Sequence, residues 1–584
     1  MPSRTLTSSP LSFKSASRRI PKIKSYFRSS PELESPQELE PSRTDFASLP
    51  SPIIDAIGHE CQFAQDVLNL SLCSRRIRAL LIPRLYTDVE LKTNRHCKTT
   101  LLSLTKYRDH ARHIRRLVVA PNNMAWTPPG EEIDEGVIAK LLTALVPHLR
   151  SLESFVWAGW EMPPDELWLA LRKFCPNLRG VSTVVGDQTL NPASQLYNFS
   201  NLKQFSLSVK SKSLDWITAG PPKVERFPRR LWEMLIERCP ALEELSLDAV
   251  APAHRIFDAR NAMLGRWPRL RSLTLGDMLL QDTQNDNRTS LADYQAFMKF
   301  FVMHFRLEHI ALQHAGASSI FPSSFALPYS ALPRLISFHG PLRYIRTLPH
   351  PEKLQHLTLT SLHHTQSTFH PTWTALQDLP NLDSLSVWVD LSLGGQPSMP
   401  NESQIFSSFL STCPLLRHFE IMCFSRPTFR TREFSRALQA APTLESFTLT
   451  KMYKSSDEDM TTSAIRILQE NPTITQFTLQ YTQDRWPTQG GGRLRQMGVY
   501  HVNTNEYGYP ESVLALERKA KTFGTVTSRR TIQNISTKLP LPSTPGCDAA
   551  RSPRSSLSSG SDTNTQGWTH RPRSTTSQSS YVVV

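Results

Sequence analysis

From about residue 170 to residue 485 the chain returns again and again to one short arrangement of apolar and polar positions. The stretches CPNLRGVST, FSNLKQFSLSV, CPALEELSLDA, WPRLRSLTLGD, PEKLQHLTLTS, LPNLDSLSVWV and APTLESFTLTK share the core L-x-x-h-x-h, where h is apolar. Weaker copies are CPLLRHFEIMC, NPTITQFTLQY, FRLEHIALQHA and LPRLISFHG. The leading Leu or Ile falls at 178, 202, 242, 270, 307, 335, 354, 382, 416, 444 and 474, and a spacing of 28 recurs four times. Two earlier copies start at Ile114 and around Leu152, where Leu149 offers an alternative register. The closing apolar pair alternates with period 2, as a short half-buried strand requires. The stretches ahead of several copies have a different period. DELWLALRKFCP, RRLWEMLIERCP, ESQIFSSFLSTCP and SAIRILQENP place apolar residues at i, i+3, i+4 and i+7, the mark of an amphipathic helix. The proline that follows ends the helix and favours extended backbone before it.

One unit is therefore helix, proline stop, strand and loop. A single unit cannot bury its own apolar face, so the units are expected to stack, with parallel strands on a concave side and helices on a convex side. This resembles the leucine-rich repeat family, in a degenerate form that opens on Cys-Pro at Cys175, Cys239 and Cys413. The resemblance covers roughly residues 105–485 and implies an α/β repeat fold; a purely helical solenoid would leave the S-L-T-L alternation unexplained. The solenoid is expected over 105–500, with irregular spacings marking inserts such as the Pro-rich 211–230.

Residues 46–90 read differently, as a small helical module. Pro50 or Pro52 can open a helix in which Ile53, Ile54, Ile57 and Cys61 share a face. After a break around Gln62–Asp66, Leu68 pairs with Leu72, then Cys73, Ile77, Leu80 and Leu81 form a second stripe that Pro83 is expected to end. About 40 residues is below the size at which a core is usually self-sufficient, so the module is expected either to dock on another protein or to cap the solenoid. The Leu49-Pro50 opening, the apolar first helix, the Asp-apolar-Leu step at Asp66–Leu68 and the apolar-Cys-x-Arg-Arg segment at Leu72–Arg76 together resemble an F-box. Pro52 and Ile77 depart from the family pattern, standing where a charged residue and an aromatic are common.

An F-box followed by leucine-rich repeats resembles the substrate receptors of Skp/cullin/F-box ubiquitin ligases. The resemblance implies an Skp adaptor held by Leu49, Pro50, Ile53, Ile54, Ile57, Leu68, Leu72, Cys73, Ile77 and Leu80, and through it a cullin scaffold. It also implies a protein substrate on the repeats. Strand positions that point away from the core are the candidates for that second role: Asp248, Gln313, Trp388, Glu420 and Gln480, with Trp388 foremost because exposed Trp is enriched in binding hot spots. The same two parts also suit a non-degradative scaffold, with the F-box holding the adaptor alone or serving only as a cap.

Charge changes this picture little. Of the net +15, residues 1–31 carry +7 and residues 521–584 carry +6, which leaves about +2 for everything between. Residues 1–45 and 525–584 are Ser/Pro/Arg-rich without apolar periodicity and are expected to be disordered; nucleic acid is expected to bind only weakly, through these tails. Eight cysteines with no C-x-x-C pair indicate neither a zinc module nor a disulfide framework, and no apolar run is long enough to span a membrane. A location in cytoplasm, nucleus or both is the expectation, although the acid-free first 31 residues also match the composition of a transit peptide. No metal, cofactor or catalytic set is expected. QGGGR at 489–493 lacks the Lys-Ser/Thr of a phosphate loop, His363, His364 and His370 lack partners at ligand spacing, and SSDEDM at 455–460 reads as a solvated acidic loop.

Overall fold

A computed structural model describes residues 46–61, 64–123, 127, 131–210, 223–250, 255–276, 278–279, 291–312, 327–359, 366–390, 402–424, 430–452, 459–482, 494–505, 510–519 and 528–533. The tails 1–45 and 534–584, Gln313, His363, His364, residues 455–458 of the acidic segment and residues 489–493 lie outside these described residues. The chain opens with helices α1 (Ser51–Glu60), α2 (Ala64–Ser71) and α3 (Arg75–Thr87), and α4 (Asn94–Lys106) follows the first strand.

The strands in chain order are β1 (Asp88–Leu91), β2 (Arg116–Val119), β3 (Ser154–Trp157), β4 (Gly180–Val185), β5 (Gln204–Lys210), β6 (Lys223–Arg226), β7 (Glu244–Val250), β8 (Arg255–Asp258), β9 (Ser272–Leu275), β10 (Met278–Leu279), β11 (His309–Leu312), β12 (Ser337–Gly340), β13 (His356–Leu359), β14 (Ser384–Asp390), β15 (His418–Phe424), β16 (Ser446–Met452), β17 (Gln476–Thr482), β18 (Leu494–Thr504), β19 (Pro510–Lys519) and β20 (Ser528–Gln533). All but β6, β8 and β10 belong to one 17-stranded sheet. From β1 to β17 each of its strands pairs in parallel with the next, the geometry of an α/β repeat solenoid of the leucine-rich kind. The helices pack on one another along the other side.

The repeat leucines explain this regularity. Ile114, Leu152, Leu178 and every later anchor through Ile474 are buried in one continuous core. Each stands two residues before the register position that pairs across the ladder, so Leu152 is the anchor of β3 and Leu149 opens the turn before it. In that turn the anchor N–H bonds the carbonyl three residues earlier, as in Leu178 to Cys175 at 3.1 Å and Leu416 to Cys413 at 3.2 Å. The Cys of each Cys-Pro pair thereby points into the core, and burial pushes the thiols of Cys175 and Cys413 up to about 12.

Four features depart from the sequence reading. The ladder begins at β1, ahead of residue 105, because Asp88 pairs with Arg116 and puts Tyr86 of α3 in the slot that leucine fills elsewhere. Pro83 does not end α3, which runs on to Thr87. The hydrogen bond that proline forfeits is offset by packing on both sides: Leu85 rests on the core of the helical module, and Tyr86 rests on the solenoid core and stacks on His110 at 4.8 Å. The segment around 211–230 contributes β6, which with β8 and β10 makes a second, three-stranded parallel sheet. Lastly, β18, β19 and β20 pair antiparallel beyond β17 and cover its edge, so residues 528–533 form a strand within a segment expected to be disordered. Tyr500 of β18 stacks on Phe477 at 4.7 Å and carries the core past the last leucine anchor.

Candidate protein-docking surfaces

The helical module closes around a core of Ile54, Val67, Ile77 and Leu81, with Leu49, Cys61, Leu70, Leu80 and Leu85 partly buried against it. Pro50 caps α1 with Pro52 in its first turn, where a missing N–H costs nothing. Ser74 caps α3, its hydroxyl accepting from the Ile77 N–H at 3.1 Å. Arg76 donates to the Leu49 carbonyl at 2.9 Å and Arg84 to the His59 carbonyl at 2.8 Å, tying the two ends of α1 to α3. Where α1 crosses α3, a Cβ on Gly58 would come within 2.6 Å of Leu81 Cδ2, so the buried Leu81 side chain would have to shift to admit one.

This packing divides the residues that the F-box resemblance grouped together. Ile54 and Ile77 are 0% and 1% exposed; they hold the module together and cannot touch a partner, which corrects their assignment to a docking surface. Leu49 and Leu80 belong to the edge of the same core, and Ile57 is half-buried. Ile53 at 47%, Leu68 at 41% and Leu72 at 69% exposure face outward, with Pro50 and Cys73 also exposed. Leu68 and Leu72 are one turn apart, and the Leu72 N–H, just past the end of α2, bonds the Leu68 carbonyl at 3.2 Å, so the two side chains face the same side.

Along the solenoid, the polar strand positions form a long face in register. Ser206, Ser246, Thr274, Ala311, His339, Thr358, Ser386, Glu420, Thr448 and Thr478 follow one another strand by strand. Trp388, Glu420 and Gln480 lie on β14, β15 and β17 within three strand spacings, whereas Asp248 on β7 is about 24 Å away at ~4.8 Å per strand. Trp388 is half-buried and stands opposite Met422. Glu420 accepts from the Ser386 hydroxyl at 3.1 Å, and Gln480 Oε1 accepts from Thr450 at 3.3 Å, so both are held by their neighbours.

Sequence reasoning missed two features of this face. At the first register position serine and histidine alternate, Ser272, His309, Ser337, His356, Ser384, His418 and Ser446, and His418 Nδ1 lies 2.7 Å from Ser446 Oγ. The signal was there to be read, two residues after each anchor. His339 has its ring largely covered, and burial pushes its pKa down to about 4, leaving a neutral imidazole between Ala311 and Thr358. Nor is SSDEDM wholly a loop: Asp459 caps the helix Met460–Glu470, accepting from the Thr462 N–H at 3.0 Å. Among the described residues no group of His, Cys, Asp and Glu could hold a metal ion, and no helix is long and apolar enough to cross a membrane.

No protein-family model matches the chain, and no curated protein does. Solved structures with some similarity include a TLR13–ssRNA13 complex (13% identity, 63% of this chain and 44% of that one, TM-score 0.27), the Rad7–Elc1 complex of yeast (12%, 69% and 93%, 0.33) and the leucine-rich repeat-containing protein LegL7 of Legionella pneumophila (11%, 62% and 93%, 0.25). At TM-scores this low, the reading of function rests on the chain's own residues.

Proposed function

We propose that this protein is the substrate-recognition subunit of an Skp/cullin/F-box-type ubiquitin ligase. The helical module docks on an Skp adaptor through Pro50, Ile53, Leu68, Leu72 and Cys73, and the adaptor links it to a cullin. The repeats hold the protein to be modified, with the face around Trp388, Glu420 and Gln480 as the first candidate. The chain performs no chemistry of its own; it raises the effective concentration of a substrate lysine near the conjugating enzyme.

The observation that carries this reading is the separation of Ile53 from Ile54. The module completes its own core and still leaves the large aliphatic side chains of Ile53, Leu68 and Leu72 exposed, a cost in water that a partner groove removes. The test is capture of partners from cells by the full-length protein and by Ile53→Asp/Leu72→Asp. The expected result is an adaptor and a cullin with the first and neither with the second, while proteins held by the repeats stay bound. Adaptor without cullin would point to the scaffold instead. Neither with the natural chain would reduce the module to a cap, the reading favoured by the direct passage of α3 into β1.

A further inference from the structure

The turn before each strand offers a place that several repeats use structurally, and three successive turns fill it with arginine instead. In every repeat but that of Leu202 the residue just before the anchor occupies the third place of the same hydrogen-bonded turn. In several repeats its side chain reaches back to a carbonyl of the preceding turn: Asn177 to Arg150 at 3.3 Å, Lys353 to Pro333 at 3.2 Å, Asn381 to Glu352 at 2.9 Å and Thr443 to Pro414 at 3.0 Å. At Trp267–Leu270, His304–Leu307 and Leu332–Leu335 the same place holds Arg269, Arg306 and Arg334. All three are exposed, and among the described residues none makes a hydrogen bond or an ion pair. Arg306 lies only over the ring of its neighbour Phe305, 5.9 Å from the centroid, and that ring is itself half exposed.

Charges elsewhere on this rim are handled differently. One residue past the anchor, opposite signs face each other across strands: Arg115 and Glu153 at 3.7 Å, Lys203 and Glu243 at 3.1 Å, and Arg417 between Asp383 at 3.6 Å and Glu445 at 3.8 Å. The three arginines instead hold the same place in adjacent turns, like beside like, with backbones about one strand spacing (~4.8 Å) apart, and with Lys353 the basic run extends over about 14 Å. It stops on both sides, at Ala241 in the turn before and at Asn381 in the turn after. Like charges side by side repel, and an anion laid along the row would relieve that repulsion.

We propose that Arg269, Arg306 and Arg334, with Phe305 among them, form a binding strip for an extended acidic segment of a protein partner. The inference rests on the reading of the repeats as the substrate-holding part of the molecule. A peptide suits the strip better than a nucleic acid because the side chains of Glu308, Glu352 and Gln355 share this rim. A peptide can set its carboxylates on the arginines and turn backbone N–H groups towards the acceptors between them, whereas a phosphodiester backbone carries a charge at every unit and no donor. Four or five extended residues, at about 3.3 Å each, cover the run.

The test uses the full-length chain, Arg269→Glu/Arg306→Glu/Arg334→Glu, and Arg269→Lys/Arg306→Lys/Arg334→Lys. Each is titrated with a fluorescent octaglutamate peptide near 0.15 M salt and, separately, with a single-stranded oligothymidylate of equal charge. The basic tails are common to all three proteins, so only differences between them report on the strip. Charge reversal is expected to weaken peptide binding by about tenfold or more, with melting temperature and adaptor capture unchanged, and the lysine variant is expected to retain most of the binding. Equal peptide affinity in the natural and reversed proteins overturns the proposal. Tighter binding of the oligothymidylate, lost in the same variant, also overturns it by assigning the strip to nucleic acid. Absence of adaptor capture by the natural chain would instead sink the ligase reading and leave the peptide result standing.

Discussion

Ile53 and Ile54 are neighbours of one residue type, and replacing each by alanine should separate folding from docking. Ile54 is fully buried among Val67, Ile77 and Leu81. Truncating a buried isoleucine costs about 2–5 kcal/mol, and the small, partly exposed surround can relax, which places Ile54→Ala near the lower end, about 2–3 kcal/mol. Ile53 keeps only about half its surface covered, so Ile53→Ala forfeits about 1 kcal/mol of burial and regains a few tenths from the better helix propensity of alanine. Hydrogen exchange read on α1 and α3 resolves the difference: a local loss of 2–3 kcal/mol raises exchange roughly 30- to 150-fold, and the Ile53 change only a few-fold. Adaptor affinity measured by calorimetry should show the reverse origin of loss. Ile53→Ala weakens binding with the module folded, whereas Ile54→Ala weakens it only through the smaller folded fraction. Equal loss of protection in the two variants would refute the division of the module into core and docking face. So would unchanged adaptor affinity in Ile53→Ala.

Gly58→Ala should lower the stability of the module by up to about 2 kcal/mol even though it raises helix propensity by about 1 kcal/mol, because the new methyl meets Leu81 in a filled core; a raised melting temperature would count against the close α1–α3 crossing. Ser74→Ala should cost about 1 kcal/mol and increase hydrogen exchange at the first turn of α3, where the Ile77 N–H loses its acceptor. Acid should weaken the solenoid through two buried histidines. His304 is held neutral by burial, its Nδ1 facing the Phe300 carbonyl at 2.7 Å while Nε2 accepts from the Trp267 N–H at 3.0 Å, and burial likewise lowers His339. With folded-state pKa values depressed, their contribution is complete above about pH 6.5 and is lost as pH falls, towards about 4 for His339. Tm measured from pH 7.5 down to 4.5 should fall less steeply in His304→Gln/His339→Gln than in the natural chain, and parallel profiles would show that these rings are not responsible.

The repeat periodicity by itself determined the solenoid. An apolar anchor, two intervening residues and an alternating pair form a local pattern, and burying it needs only an identical neighbour; hence every anchor from Ile114 to Ile474 lies in the core where the pattern puts it. The ends obey no such local rule. Tyr86 fills the first anchor slot because α3 delivers it there, and β18 to β20 form because the open edge of β17 needs pairing, neither of which leaves the repeat pattern in the sequence. The helical module shows the same limit on a smaller scale. Its apolar stripes were legible, but two adjacent isoleucines read alike, and only the packing of α1 against α3 decided that one is core and the other surface. The arginine strip was equally hidden. Arg269, Arg306 and Arg334 lie 37 and 28 residues apart along the chain, and only the stacking of the turns sets them side by side, at a place where other repeats spend the same side chain on structure.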